Sequence, residues 1–204
     1  MFMYKVECIR LGLFQVNCYF LHKDGHILCI DPGANAKKVI TYLEQYPDCV
    51  LDGICLTHGH FDHLGAVDEL VMKYHCPVYL SCQDEKLARS KELNFMGGRW
   101  ATISCPIDEY PIGKFSIGAF ELEVIDTPGH TSGSVCLIWQ NCLFSGDTLF
   151  KNSVGRTDLY SGNEGQLKQS LQVLKGLPYE MLVYPGHAEF TTIHEEIVNN
   201  PYLQ

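Results

Sequence analysis

Residues 57–63 read THGHFDH, which places three histidines and an aspartate within seven positions. A helix-borne metal site sets its histidines four apart, because those side chains share one face. His58 and His60 are only two apart, and Asp62 and His63 follow directly. Such spacing suits a chain that leaves a strand, turns sharply at Gly59 and enters a helix. The flanks agree: LDGICLT, ending at Thr57, reads as a buried strand. From Leu64 to Tyr74 the pattern is helical, with Val67, Leu70, Val71 and Tyr74 on one stripe.

Working outward, residues 3–10 and 16–22 alternate apolar and polar around a turn at Gly12, and HILCI at 26–30 runs into Asp31-Pro32-Gly33. Residues 34–46 carry Val39, Ile40 and Leu43 at helical spacing before Pro47 stops the helix. CPVYLS resumes as a strand. Further strands are predicted near 115–126, 134–140 and 142–146 and in MLVYPG, with helices over about 164–175, capped from Ser161 or Asn163, and 191–198. Residues 94–111 read as irregular, a surface loop or a flap. Two halves of strands and helices predict an α/β fold with two sheets face to face and helices outside. No Pro- or Ser-rich linker divides them, so a single domain over 1–204 is expected.

Three later segments share a property with THGHFDH: each ends an apolar strand with a potential ligand in a turn. ELEVIDTPGHTSGS leads through Pro128-Gly129 to His130, NCLFSGDTLF through Gly146 to Asp147, and MLVYPGH through Pro185-Gly186 to His187. Gly and Pro let the backbone turn tightly beside each one. A lone histidine is most simply a hydrogen-bonded structural residue, and His22, His26, His75 and His194 are read so. Seven imidazole and carboxylate groups at strand ends point instead to metal: His58, His60, Asp62, His63, His130, Asp147 and His187. Seven exceed what one four-coordinate ion takes and suit two ions sharing a carboxylate.

The composition is that of an ordinary globular chain, 46% hydrophobic and 19% charged. A net charge of −9 argues against nucleic acid, whose binding relies on clustered Lys and Arg. The ten cysteines are scattered with no CxxC pair, several within apolar runs, and read as small buried hydrophobes in a reducing compartment. The N-terminal stretch is interrupted by Lys5, Glu7 and Arg10, unlike a signal peptide, and no run approaches 18 uncharged apolar residues. A cytoplasmic protein with no membrane partner is expected.

THGHFDH, PGHTSGS, FSGDTLF and YPGH, in that order and with NCYFL and IDPG near the start and TTIHEEIVNNPYL at the end, resemble the metallo-β-lactamase superfamily. Within it they are most similar to the glyoxalase II branch, the hydroxyacylglutathione hydrolases. The resemblance implies an αββα sandwich of two mixed sheets flanked by helices. It implies one metal site of His58, His60 and His130, a second of Asp62, His63 and His187, and Asp147 bridging both. Two divalent ions are then expected, zinc in the first place, with iron or manganese tolerated by an all-nitrogen and oxygen donor set. The implied reaction is attack of activated water on a small-molecule thioester, S-lactoylglutathione or a related acyl-glutathione. Asp62 is a ligand that also orients the nucleophile or accepts a proton from it. Thr57, Ser145 and Asp31 are read as holding ligands in place or as making local turn hydrogen bonds.

The chain departs from the branch in two places. Where the longer enzymes carry a Gly-Lys pair and an aromatic that contact glutathione, this one has Gly155-Arg156 and Tyr160. Arg156 and Tyr160 are the candidate substrate-binding residues, with an ion pair between Arg156 and Asp158 the competing reading for Arg156. The chain also ends soon after its last helix, as in short, single-domain glyoxalase II-like proteins. A persulfide dioxygenase, with one iron on His58, His130 and Asp147, is the alternative from another reaction class. A metal-binding module without catalysis is a third, against which the completeness of the ligand set counts. Oligomeric state is not indicated.

Overall fold

The computed structural model describes residues 4–94 and 98–204. Strands β1 (Tyr4–Leu11), β2 (Val16–Lys23) and β3 (His26–Ile30) form an antiparallel meander. Helix α1 (Ala36–Leu43) crosses to β4 (Val50–Cys55), parallel to β3. Helices α2 (Phe61–Leu64) and α3 (Val67–Tyr74) lead to β5 (Val78–Tyr79), parallel to β4. This N-terminal sheet runs in the order β1-β2-β3-β4-β5. Helix α4 (Cys82–Arg89) and an irregular passage connect to the second half.

There, β6 (Gly113–Ile117), β7 (Phe120–Asp126), β8 (Val135–Trp139) and β9 (Cys142–Gly146) are antiparallel neighbours. A small hairpin, β10 (Leu149–Phe150) and β11 (Ser153–Val154), and helix α5 (Glu164–Lys175) precede β12 (Leu182–Pro185), parallel to β9. Strand β13 (Thr191–Thr192) and helix α6 (Ile193–Asn199) complete the described fold, and the C-terminal sheet runs β13-β12-β9-β8-β7-β6.

Alternation along the central strands builds the layers. Tyr19 and Leu21 of β2 face the opposing sheet and pack with Phe120, Leu137, Trp139 and Phe144. Their neighbours Cys18 and Phe20 face the other way, against Val39 of α1 and Val67 and Leu70 of α3. Cys136, Leu143 and Val183 similarly meet Leu167, Leu171 and Leu174 of α5. A strand covered on both faces has no polar side, which is why VNCYFLH is buried throughout. The result is the expected two mixed sheets with helices outside, an αββα sandwich. All ten cysteines are free thiols, six of them buried.

Several predicted elements differ in detail. The strand read over 115–126 is a hairpin turning at Gly118-Ala119, with Gly118 at φ 53 and Ile117 opposite Phe120. The helix read from Leu64 is two helices, because the N–H groups of Gly65 and Ala66 donate to the carbonyls of Gly33 and Pro32 instead of to the preceding turn. CPVYLS contributes only two strand residues, and α4, which follows it, is an unpredicted helix capped by Ser81. Of the two caps considered for α5, Asn163 is the one that accepts from Gln166 N–H. Within 94–111, residues 95–97 lie outside the described residues. Residues 103–110 are tied down, with Ile103 and Tyr110 buried, Asp68 accepting from the N–H groups of Ser104 and Cys105, and Asp108 bridging to Tyr79.

Candidate metal centre

Four strand ends converge at one edge of the sandwich. β4 delivers His58 and His60 in a loop and Asp62 and His63 on the short α2; β7 delivers His130, β9 Asp147 and β12 His187. The backbone must come close for this. Gly146 has φ 48 and packs against Thr57. A Cβ on Gly186 would collide with the Asp147 carboxylate and lie 2.7 Å from Cε1 of His63.

Ligand atoms of His58, His60 and His130 lie within 4.8 Å of one another, as do those of Asp62, His63 and His187. Asp147 reaches both groups, with Oδ1 3.3 Å from His63 Nε2 and Oδ2 3.5 Å from His130 Nε2. The seven residues singled out in the sequence therefore meet in one place, grouped three and three with Asp147 between.

Four of the five imidazoles are oriented by what their outward nitrogen touches. His63 Nδ1–H donates to Asp31 Oδ2 at 2.9 Å, His130 Nδ1–H to the Arg156 carbonyl at 2.7 Å, and His187 Nδ1–H to the Phe14 carbonyl at 3.0 Å. The Thr57 hydroxyl donates to Asp31 Oδ2, leaving its oxygen to accept from His58 Nδ1 at 3.1 Å. With those protons outward, the Nε2 lone pairs of all four rings point inward. His60 is turned over and presents Nδ1, 2.9 Å from His130 Nε2.

Two atoms at the focus, His58 Nε2 and Asp147 Oδ1, are buried without any hydrogen-bond partner. Imidazole nitrogens and carboxylate oxygens that converge this closely, two of them without a hydrogen-bond partner, suit cations. The electrostatics agree. Burial pushes the pKa of His58 well down and that of His60 to about 3, so both stay neutral and ready to ligate. Burial also disfavours a proton on His63, yet Asp147 and Asp31 outweigh it and hold that pKa well above the usual imidazole range. A cation binding here competes with that proton.

Of the supporting residues named from sequence, Asp31 and Thr57 touch ligands as described. Ser145 makes a local turn bond to the Leu149 carbonyl at 2.7 Å. Arg156 forms the ion pair with Asp158, two bonds of 2.6 and 2.8 Å at the surface, and its carbonyl rather than its guanidinium touches the centre. Tyr160 is exposed on the same flank, with Lys86 Nζ 5.9 Å from its ring centroid.

Three positioning residues escaped the sequence reading. Asp84 of α4 accepts from Gly59 N–H at 2.8 Å, Thr131 hydroxyl at 2.6 Å and Gly133 N–H at 2.9 Å, clamping the His58–His60 loop to the His130 loop. Asn94 accepts from Phe61 N–H and donates to the Gly59 carbonyl. Asn17 donates to the carbonyls of Pro185 and Ala188 on either side of His187. Ser81 followed three residues later by Asp84 was a readable helix start, and would have drawn attention to Asp84.

A sandwich of this layering, with a His and Asp centre at the strand ends of both sheets, defines a class of hydrolase-like metalloenzymes. Residues 11–187 match the metallo-beta-lactamase superfamily, and the chain belongs to it. It is 29% identical to the hydroxyacylglutathione hydrolase GloC of Haemophilus influenzae, over 97% of each chain. Its fold superposes on the BLEG-1 B3 metallo-beta-lactamase with a TM-score of 0.93 at 37% identity, covering 98% of this chain and 100% of that one. It is also similar to TTHA1623 in a di-iron-bound form, TM-score 0.88 at 35% identity, covering 97% and 100%. No helix among the described residues is long and apolar enough to cross a membrane.

Proposed function

We propose that the protein is a binuclear metal-dependent hydrolase of small-molecule thioesters, acting on S-lactoylglutathione or a related acyl-glutathione. The observation that carries this is the grouping of six ligands three and three around Asp147, with His58 Nε2 and Asp147 Oδ1 buried and unpartnered. The similarity to a hydroxyacylglutathione hydrolase and to a di-iron protein supports the reading. His58, His60 and His130 hold one divalent cation and Asp62, His63 and His187 the other, with Asp147 shared; zinc, iron and manganese all suit the donors. When bound, such a pair supplies Lewis acidity, lowering the pKa of water from ~15.7 toward 7 and polarising a carbonyl.

The chain's own residues do the rest. Asp31, Thr57, Arg156 and Phe14 keep the imidazole protons of His63, His58, His130 and His187 outward. Asp62, whose carboxylate lies 3.3 Å from His187 Nε2, keeps an ionised oxygen at the mouth of the centre. There it accepts a hydrogen bond from the attacking water and aims it at the thioester carbonyl. The leaving thiol, with a pKa near ~8.5, departs as thiolate and needs no dedicated acid. Arg156 and Tyr160 flank the thiol side.

Metal analysis of protein purified without added metal or chelator tests the reading, together with a panel of glutathione thioesters. About two ions per chain and thioester hydrolysis are expected. One iron per chain with oxygen uptake on glutathione persulfide would replace it with a dioxygenase. Asp62→Asn should lower kcat by ~100-fold or more; full kcat with both ions retained would remove Asp62 from the chemistry.

A further inference from the structure

Beside Asp62 the surface opens into a slot of about 300 Å³ that the ligands themselves do not use. The β1–β2 turn contributes Leu13 and Phe14 to its lining, and Phe61 and Trp100 line it as well. Phe14 and Phe61 pack edge to face with centroids 5.3 Å apart. Leu13 is 70% exposed and Trp100 47%, high values for large apolar side chains that border a polar centre. The Leu13–Phe14 tip does not hang free, because the Phe14 carbonyl accepts from His187 Nδ1–H. Slot and metal centre therefore share Asp62 and the His187–Phe14 bond.

We propose that this slot binds the acyl portion of the thioester, and that it selects apolar acyl groups larger than lactoyl. The proposal rests on the thioester-hydrolase reading. A carbonyl placed at the ligands, with Asp62 beside it, directs one substituent into the slot and the other toward the Arg156–Tyr160 flank. The two sides differ in chemistry. A glutathione-type thiol carries two carboxylates and an ammonium, which need charged partners. Among the described residues the slot is lined mainly by Leu11, Leu13, Phe14, Phe61 and Trp100, with Asn35, Asp62 and Arg99 as its polar members, and Lys91 Nζ lies 4.2 Å from the Trp100 ring centroid. The other flank carries Arg156, Asp158 and Lys86 around Tyr160. The apolar side accordingly takes the acyl chain, whose burial there is favoured by the hydrophobic effect.

The test uses the metal-loaded protein and glutathione thioesters of acetate, butanoate and hexanoate. kcat/KM should rise by about fourfold for each methylene that enters the slot. Trp100→Ala and Leu13→Ser, both at exposed positions, should each lower the hexanoyl-to-acetyl ratio of kcat/KM several-fold. A merely structural effect would lower both substrates together and leave the ratio alone. A ratio that is flat in the parent protein, or unmoved by both variants, overturns the proposal while the hydrolase reading stands. If no thioester is turned over with two ions bound, the hydrolase reading falls, and direct binding decides the slot. Hexanoate, but not acetate at the same concentration, should then shift the tryptophan emission, and Trp100→Phe should abolish the shift because Trp139 is buried in the core. No shift in that case overturns the slot as well.

Discussion

Asp31 stands at the start of the tight turn after β3 with φ 51, a backbone conformation that a non-glycine residue adopts at some cost. What holds it there is its carboxylate, which accepts from Thr57 N–H, the Thr57 hydroxyl and His63 Nδ1–H. An oriented imidazole is a better ligand than a free one. Asp31→Asn should therefore weaken metal affinity by about 10- to 100-fold, read by competition with a chelator of known strength. A pH dependence belongs to the same residues. Burial works against protons on His63 and His187, but Asp147 and Asp31 raise the first, and Asp62 and Asp147 the second, above the ordinary imidazole value. Those protons must leave when cations bind, so metal occupancy should fall as pH drops, beginning above the usual imidazole pKa of ~6.5. Occupancy measured against a fixed competitor from neutral to acid pH checks the sign; rising affinity on acidification would contradict it.

At the scale of elements, α4 is the piece that joins the two halves of the centre. Its first turn carries Asp84, whose partners Gly59 and Gly133 lie on loops from different sheets. Three donors meet two carboxylate oxygens there, and an amide cannot replace them, since its NH₂ would face an N–H. Asp84→Asn should cost about 1–3 kcal/mol for each donor left unpaired, read by urea denaturation. It should also speed metal loss, since both ligand loops lose their common anchor. This coupling explains why α4 was invisible as a functional element. CQDEKLAR has good helix formers and a serine cap, but its charged surface gives no apolar stripe of the kind that revealed α3 and α5. The β6–β7 hairpin escaped for the opposite reason: apolar alternation runs on both sides of Gly118-Ala119, and only the Gly and the one-residue change of phase, from Phe115 and Ile117 to Phe120 and Leu122, mark the turn.

For the whole molecule, the centre lies where two sheets meet, so metal and fold support each other. Tyr19 of β2 shows the connection, with its ring in the inter-sheet core and its hydroxyl donating to the Pro185 carbonyl beside the His187 turn. Cations that bind the folded chain stabilise it by mass action, by about 4 kcal/mol at a thousandfold excess over Kd. For a chain of this size each kcal/mol moves Tm by ~2–4 °C, so chelation should lower Tm by roughly 10 °C. Scanning calorimetry with and without chelator measures this, and an unchanged Tm would mean that the strand ends hold together without cations.

The sequence by itself determined the class of fold and the chemical type of the centre. Alternation along a strand, the stripe on a helix, and a ligand set beside Gly or Pro at a strand end are all encoded within a few residues. That is why His58, His60, Asp62, His63, His130, Asp147 and His187 could be picked out one segment at a time. The tertiary structure alone decided which of them stand together and what holds them. His130 is fixed by a carbonyl 26 residues away, and Asp84 by donors 25, 47 and 49 residues away. It also decided that Arg156 pairs with Asp158, and that Leu13, Phe61 and Trp100 wall one slot. Contacts of that span depend on how the strands register and how the two sheets face each other. No local pattern carries that information, because the hydrophobic effect that brings the sheets together has no direction.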